Sequence, residues 1–186
     1  DKIMLAENGI DIYSKDDLKK ISQAYSFLNG TLIAWKDKFS NYLFANNMAA
    51  SELGYEADDF LASNLTDYDF RCPMVELAGQ FRNEDREVFE TGRPKKFLVY
   101  AKCHSGWLVL LGEKAPIYEI NKKEVIALSC NYTDVTNTKI APAGFNFLSN
   151  LKKYKGNIKF GSQHTIRLDT YSPLQLNLSP RESECL

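Results

Sequence analysis

Two hydrophobic periods alternate along this chain. Between Ser14 and Gly30 the apolar residues Leu18, Ile21, Tyr25 and Leu28 recur every three or four positions, which places them on one helix face. Ser14 suits the N-cap, Asp16 and Asp17 the first turn, and Gly30 the end. From Thr31 the period shortens. Residues 31–35 and 42–45 are short β-branched and aromatic runs parted by a polar turn, so they read as a hairpin. Asn46 and Asn47 suit a helix start, with Met48, Ala49 and Leu53 on one face and Gly54 closing it. Residues 56–67 hold Asp58, Ser63, Asn64 and Thr66, which favour caps and turns and predict one-turn pieces. Pro73 opens a longer helix in which Leu77, Ala78, Phe81, Val88 and Phe89 mostly share a stripe, ended by Thr91-Gly92. Asp85 interrupts that stripe and predicts a bend or a boundary-facing carboxylate there.

Three strand-like runs follow, over residues 96–102, 107–114 and 124–132. The turn-rich connectors His104-Ser105-Gly106 and Asn121-Lys122-Lys123 make them an antiparallel meander. Two strands, short helices, one longer helix and three strands define an α+β unit with helices on one face of an antiparallel sheet. After Asp134-Val135-Thr136 the chain turns more polar. Phe145, Leu148, Leu151 and Tyr154 fit a short helix, and residues 158–169 fit either a hairpin or an extended linker. The organisation expected is a flanking helix over 1–30, a domain over 31–137, a linker over 138–177 and a new start at 178–186.

Composition narrows the function classes. The 186 residues are 44% apolar and 25% charged, ordinary for a chain that buries a real core. Lys plus Arg is 23 against 24 Asp plus Glu, a net charge of −1, so the clustered cations of a DNA-binding surface are missing from this segment. No apolar run approaches the roughly 20 residues of a membrane span. No signal peptide opens the chain, and the four scattered cysteines form no C-x-x-C pair, which together predict a reduced, cytoplasmic protein. The chain does not begin with Met and stops within a helix-like pattern, so it reads as an excised fragment.

The order and wording of these elements resemble a PAS domain. The resemblance lies in Ile33-Ala34-Trp35-Lys36-Asp37, Ala45-Asn46-Asn47, Leu53-Gly54-Tyr55, the segment from Asp85 to Pro94, Lys114-Ala115-Pro116-Ile117 and Asp134-Val135-Thr136. It covers residues 31–137 and implies a five-stranded antiparallel sheet. A second resemblance lies at the end. Leu178-Ser179-Pro180-Arg181-Glu182-Ser183-Glu184-Cys185-Leu186 is similar to the opening of a LuxR-type helix-turn-helix domain. Ser179 would cap that helix, Pro180 take its first position and Glu182 complete a capping box.

Candidate chemistry is sparse. Haem-binding PAS relatives supply a His from the long helix, and residues 73–92 contain none. Phe70-Arg71-Cys72-Pro73 offers a Cys without the neighbours seen in flavin-binding light sensors, so no cofactor is expected. His104 and His164 are isolated, which disfavours a metal. Glu84, Asp85 and Glu87 read as a solvated helix face, and no nucleophile elbow, P-loop or Gly-rich dinucleotide turn occurs, so an enzyme is not expected. Trp35, Phe44, Phe60, Phe81, Phe89, Tyr100, Leu108, Leu110, Cys130 and Tyr132 could line a small-molecule pocket between sheet and helix. They suit a filled core equally well.

The resemblances imply a sensory and dimerising PAS module of a bacterial transcription regulator. Asp134 and Thr136 would relay its signal, and a C-terminal domain outside this chain would contact DNA. A homodimer is expected, joined partly through the stripe Leu18, Ile21, Tyr25, Leu28, with no membrane partner. The alternative is a PAS input module of a phosphorelay sensor with a kinase or cyclase output. Such a protein would follow Asp134-Val135-Thr136 with a long heptad helix, which Pro142, Gly144, Gly156 and Gly161 interrupt.

Overall fold

The computed structural model describes residues 5–6, 9–12, 20–21, 25–26, 30–62, 64–119, 124–141 and 162–168. In chain order the strands are β1 (Leu5–Ala6), β2 (Gly9–Ile12), β3 (Thr31–Lys36), β4 (Tyr42–Ala45), β5 (Lys95–Lys102), β6 (Trp107–Glu119), β7 (Glu124–Asp134) and β8 (His164–Arg167). Between β4 and β5 lie the helices α1 (Asn47–Glu52), α2 (Ala57–Ala62) and α3 (Ala78–Thr91), with 3-10 turns over Asp67–Asp69 and Pro73–Leu77. Strands β3 to β7 make the five-stranded antiparallel sheet, ordered β4-β3-β7-β6-β5.

The sheet is wider than the five strands expected. β8 pairs antiparallel with β5, so part of the expected 138–177 linker is a sheet strand. β6 does not stop near Lys114 but runs on to Glu119. Its partner on one side changes along the way, from β5 up to Lys114 to a parallel β2 from Ile117. Pro116 falls in the gap between those two ladders, where the N–H that proline lacks has no strand to serve.

Local sequence signals place the helical layer. Asn46 caps α1, its side chain accepting from Ala49 N and Ile33 N at 3.0 and 3.1 Å and donating to Thr31 O at 2.8 Å. One buried amide therefore ties the helix start to β3. In residues 56–67 the expected fragmentation is only partial. Asp58 and Asp59 do not break α2 but occupy its first turn, where the macrodipole favours them. Asn64 at φ 52° and a Thr66–Asp69 capping box then end and restart the chain. Gly92, at φ 60°, closes α3 in the left-handed region.

Both faces of the sheet are covered. The inner face, with Leu32, Ala34, Val99, Leu110 and Leu128, packs under the helices with Phe60, Phe70, Phe81 and Val88. The outer face carries two smaller clusters. Ile33, Trp35, Phe44, Ile117 and Ala127 meet Ile21, while Leu98, Val109 and Ile166 meet Val135, Ala141 and Leu168. Residues 20, 21 and 25 of the expected first helix are helical. Ile21 and Tyr25, the latter edge-on to Trp35 at 6.3 Å, lie on this chain's own sheet. Ser14, Leu18, Leu28, the helix expected around Phe145 to Tyr154 and the segment 178–186 lie outside the described residues.

Replacing Asn46 with Ala removes the cap and strands two buried N–H groups and one carbonyl. Urea unfolding of Asn46→Ala should show a loss of about 2–3 kcal/mol. A loss below about 0.5 kcal/mol would mean that this side chain does not join β3 to α1.

Candidate functional site

Charges lie inside the fold where the sequence predicts apolar or surface positions. Lys36 follows Leu32 and Ala34 on the inward row of β3, beside an irregularity in the β3–β4 register. Lys114 follows Leu108 and Leu110 on the inward row of β6. Each side chain is 2% exposed. Lys36 Nζ donates to Asp67 Oδ1 and Oδ2 at 2.7 and 2.8 Å and to Asp85 Oδ2 at 2.9 Å. Lys114 Nζ donates to Asp85 Oδ1 at 2.6 Å and to Phe81 O at 3.0 Å. Asp85 thus bridges the two ammonium groups, and Tyr42 OH adds a 2.7 Å bond to Asp67 Oδ1.

Two sequence expectations are overturned here. Asp85 is neither a bend nor a boundary carboxylate: it is fully buried, inside one continuous helix. The Glu84–Asp85–Glu87 run is not a solvated face either, because Glu84 is also buried and Glu87 half-buried. A carboxylate is tolerated there because two lysines from the sheet face it.

The electrostatics follow from competition between burial and pairing. Burial alone would raise the Asp85 carboxyl, but Lys36 and Lys114 outweigh it and hold it down at about 2. Burial would likewise depress both ammoniums. The carboxylates opposite overcome it, so Lys36 sits well above its ordinary value and Lys114 above its own. Glu84 goes the other way: burial raises it, only partly offset by Lys114 and by the Thr165 hydroxyl. Its Oε1 accepts from Thr165 Oγ1 at 2.8 Å. Its Oε2 lies 3.1 Å from Lys114 Nζ but makes no well-aligned hydrogen bond.

Beside this cluster the helical layer and the sheet enclose a cavity of about 70 Å³. Its walls are mostly apolar, from Leu32 and Ala34 of β3, Val99 of β5, Leu110 of β6, Ala49 of α1, and Leu53, Phe70, Met74 and Phe81. Lys36, Lys114, Asp67 and Tyr42 form its charged end, and Cys130 and Tyr132 of β7 complete it. Burial pushes the Cys130 thiol up to about 12, so it is a neutral wall residue and not a nucleophile. The Tyr132 hydroxyl is buried with no hydrogen-bond partner among the described residues. An orphaned donor on an otherwise apolar wall is where a ligand atom gains most by docking.

Of the ten residues expected to line a pocket, the structure brings four together at this cavity: Phe81, Leu110, Cys130 and Tyr132. Phe60, Phe89 and Leu108 belong to the same inner core without reaching it. Trp35, Phe44 and Tyr100 lie on the opposite face of the sheet. A strand's side chains alternate faces, so a one-residue error of phase removes an aromatic from the site altogether. Lys36, Tyr42, Asp67 and Lys114 were missed. The signal available was a charge standing in phase with an apolar row, at Lys36, Lys114 and Asp85 alike.

Asp134 Oδ1 accepts from Thr136 N at 2.9 Å, and Thr136 Oγ1 accepts from Val109 N at 2.9 Å. These two residues therefore pin the exit from β7 back onto β6. Cys72 and Cys103 are buried, with burial raising both thiols, and His104 is exposed in its turn. Among the described residues no cluster of His, Cys, Asp and Glu is arranged to hold a metal ion.

The cluster makes acid stability predictable. Asp85's folded value lies below its ordinary 3.8, so its contribution is complete above that range and is lost as pH falls through about 2. Glu84 has the opposite sign: its raised value favours folding at low pH, and that share fades as pH rises through it. The stability of the wild type should fall steeply between about pH 4 and pH 2, and Asp85→Asn should flatten that slope. At pH 7 the same substitution leaves two ammoniums short of a counter-charge and should cost about 3–5 kcal/mol in urea unfolding.

No protein-family model matches the sequence, and neither does any curated protein. Solved structures do match. The Vibrio cholerae VqmA dimer without target DNA, described with LuxR-type receptors, is 25% identical over 64% of this chain and 52% of its own, with a TM-score of 0.56. The V. cholerae VqmA–ligand–DNA complex is 24% identical over 78% of this chain and 60% of its own, with a TM-score of 0.57. The PAS domain of Bordetella pertussis BvgS is 17% identical over 75% of this chain and 99% of its own, with a TM-score of 0.55. The chain spans only 52% and 60% of the length of those two VqmA chains. Strand order, helical layer and these likenesses agree on a PAS-like fold, similar to that of a LuxR-type receptor.

Proposed function

We propose that this chain is the sensory module of a bacterial DNA-binding transcription regulator, and that its cavity receives a small organic ligand. The observation that carries the reading is the pairing of an apolar wall with an orphaned Tyr132 hydroxyl and a lysine-rich end. A ligand with an apolar body and a polar edge would satisfy both at once. The VqmA likeness supports the same use, since one solved VqmA structure is bound to DPO. DNA would be contacted by a helix-turn-helix domain opening near Leu178. The chemistry is recognition and not catalysis: the cavity's charges are paired with one another, and its thiol is held protonated. Among the described residues no helix is long and apolar enough to cross a membrane, in keeping with a cytoplasmic receptor.

Signal transmission would run through the sheet. A ligand at the cavity touches β3, β5, β6 and β7 together, and the Asp134–Thr136 clip ties the end of β7 to β6. Occupancy can shift the output only by the difference in its affinity for the two arrangements. Paired DNA half-sites call for a two-fold protein, so the module would dimerise. Because Ile21 lies on its own sheet, that contact would use the exposed part of the N-terminal stripe, including Tyr25.

Calorimetric titration with DPO as the probe should give saturable binding. Tyr132→Phe should weaken it about tenfold, by removing a donor left unpartnered among the described residues. Leu110→Trp should abolish it by filling the cavity while the fold is retained. No saturable heat in the wild type, or binding indifferent to Leu110→Trp, would overturn this reading. Light scattering should report about twice the chain mass of 21.2 kDa, falling towards one chain in Tyr25→Glu. A wild-type monomer at high concentration would refute the dimer.

A further inference from the structure

The strand β8 is fastened in two different ways on its two faces. Ile166 and Leu168 pack on the outer face with Leu98 and Val109. The alternate residues Gln163, Thr165 and Arg167 face the helical layer, where a polar stripe meets them. Gln163 Nε2 donates to Glu76 Oε2 at 2.9 Å, and Gln80 Nε2 donates to Thr165 O at 3.1 Å. Thr165 Oγ1 donates to Glu84 Oε1, and Arg167 pairs with Glu87. On α3 the partners Gln80, Glu84 and Glu87 recur at helical spacing; Gln80 reaches the β8 backbone at Thr165, and Glu84 and Glu87 meet the side chains of Thr165 and Arg167 at strand spacing.

Two of these fastenings are exposed, and the Arg167–Glu87 pair is half-buried. Glu84 alone is buried and also faces the ionic cluster, with Lys114 of β6 and its neighbour Asp85 on α3 as the charges around it. Its two oxygens look in two directions, one to β8 and one to the cavity's lysine. We propose that β8 is a releasable strap whose docking is coupled to the cavity's ionic cluster through Glu84, which acts as a positioning residue between them. Lys114 facing Glu84 favours the charged carboxylate against the burial that opposes it, and in that form the bond from Thr165 is charge-assisted. A ligand acceptor that draws the Lys114 ammonium towards itself removes that support. Glu84 then binds a proton, the Thr165 bond becomes an ordinary neutral one, and β8 opens more often. This gives a ligand in the cavity a direct path to a strand that follows the PAS domain in sequence. It rests on the cavity's role as a ligand site for the trigger alone; the strap is tested without ligand.

The test is hydrogen exchange of unliganded protein, followed by mass spectrometry on peptides covering residues 162–168, with β6 and β7 peptides as internal reference. Thr165→Val cuts the link from the strap side and leaves the core untouched. It should speed exchange of 162–168, where Leu168 N donates to Lys96 O, about tenfold with the reference peptides unchanged. Glu84→Gln should do the same, and the double variant should exchange no faster than either single one. Measured relative to the reference peptides, Lys114→Gln should loosen 162–168 further than it loosens them in the wild-type background, and no further than it loosens them once Glu84 is Gln. Unchanged exchange in Thr165→Val and Glu84→Gln, additive effects of the two, or equal loosening of the reference peptides would each overturn the proposal. If the strap behaves as stated but DPO does not bind, the latch stands and the ligand reading falls.

Discussion

Asp85 between two buried lysines is the interaction on which the rest of this structure depends. It joins α3 to β3 and β6, while Asp67 joins the same lysine of β3 to the turn before α3. Three segments far apart in sequence therefore share one ionic knot at the centre of the inner core. Such a knot adds little stability compared with a well-packed apolar core, since stripping water from the charges offsets most of their attraction. Its consequence is specificity. Only one placement of α3 over the sheet satisfies both ammoniums, and any slide of the helix leaves a charge buried alone.

The knot also keeps the cavity open and gives it a chemical direction. Lysine and aspartate side chains tied to one another cannot collapse into the neighbouring space as a leucine would. One end of the cavity is thereby strongly polar while the remaining wall stays apolar, and Tyr132 presents a hydroxyl without a partner among the described residues. A ligand entering such a cavity would be discriminated by polarity as well as by size, because each polar group left unmatched inside costs more than it would at the surface. The same buried charges connect the cavity to the periphery, since Glu84 belongs to the knot on one side and to β8 on the other.

The two faces of the sheet divide the work. The inner face holds the cavity under the helices, and the outer face receives what comes before and after the domain. Ile21 and Tyr25 cover one end of it, and Val135, Ala141 and Ile166 the other. A shift of strands beneath the cavity is thus presented on the opposite side to both flanking segments.

Much of this was legible in the residues alone. The change from helical to strand period at Thr31, the Asn46 cap and Gly92 after the long helix are local signals, and local backbone chemistry decides them; Pro73 opens a 3-10 turn instead of the long helix, which begins at Ala78. The β3–β4 hairpin and the β5-β6-β7 meander followed from short connectors, which force antiparallel neighbours, whereas the β3–β7 pairing that joins them into one sheet was decided by tertiary structure. The site was less legible, because its residues come from β3, β6, β7 and α3 and meet only when the sheet closes under the helix. Phe81, Leu110, Cys130 and Tyr132 share the inner face, whereas Trp35, Phe44 and Tyr100 differ from them only by strand phase, which apolar runs on a doubly covered sheet do not reveal. The role of Asp85 was decided by tertiary structure entirely: an acid in a helical stripe is an anomaly until two lysines, 49 and 29 residues away in sequence, arrive to pair with it.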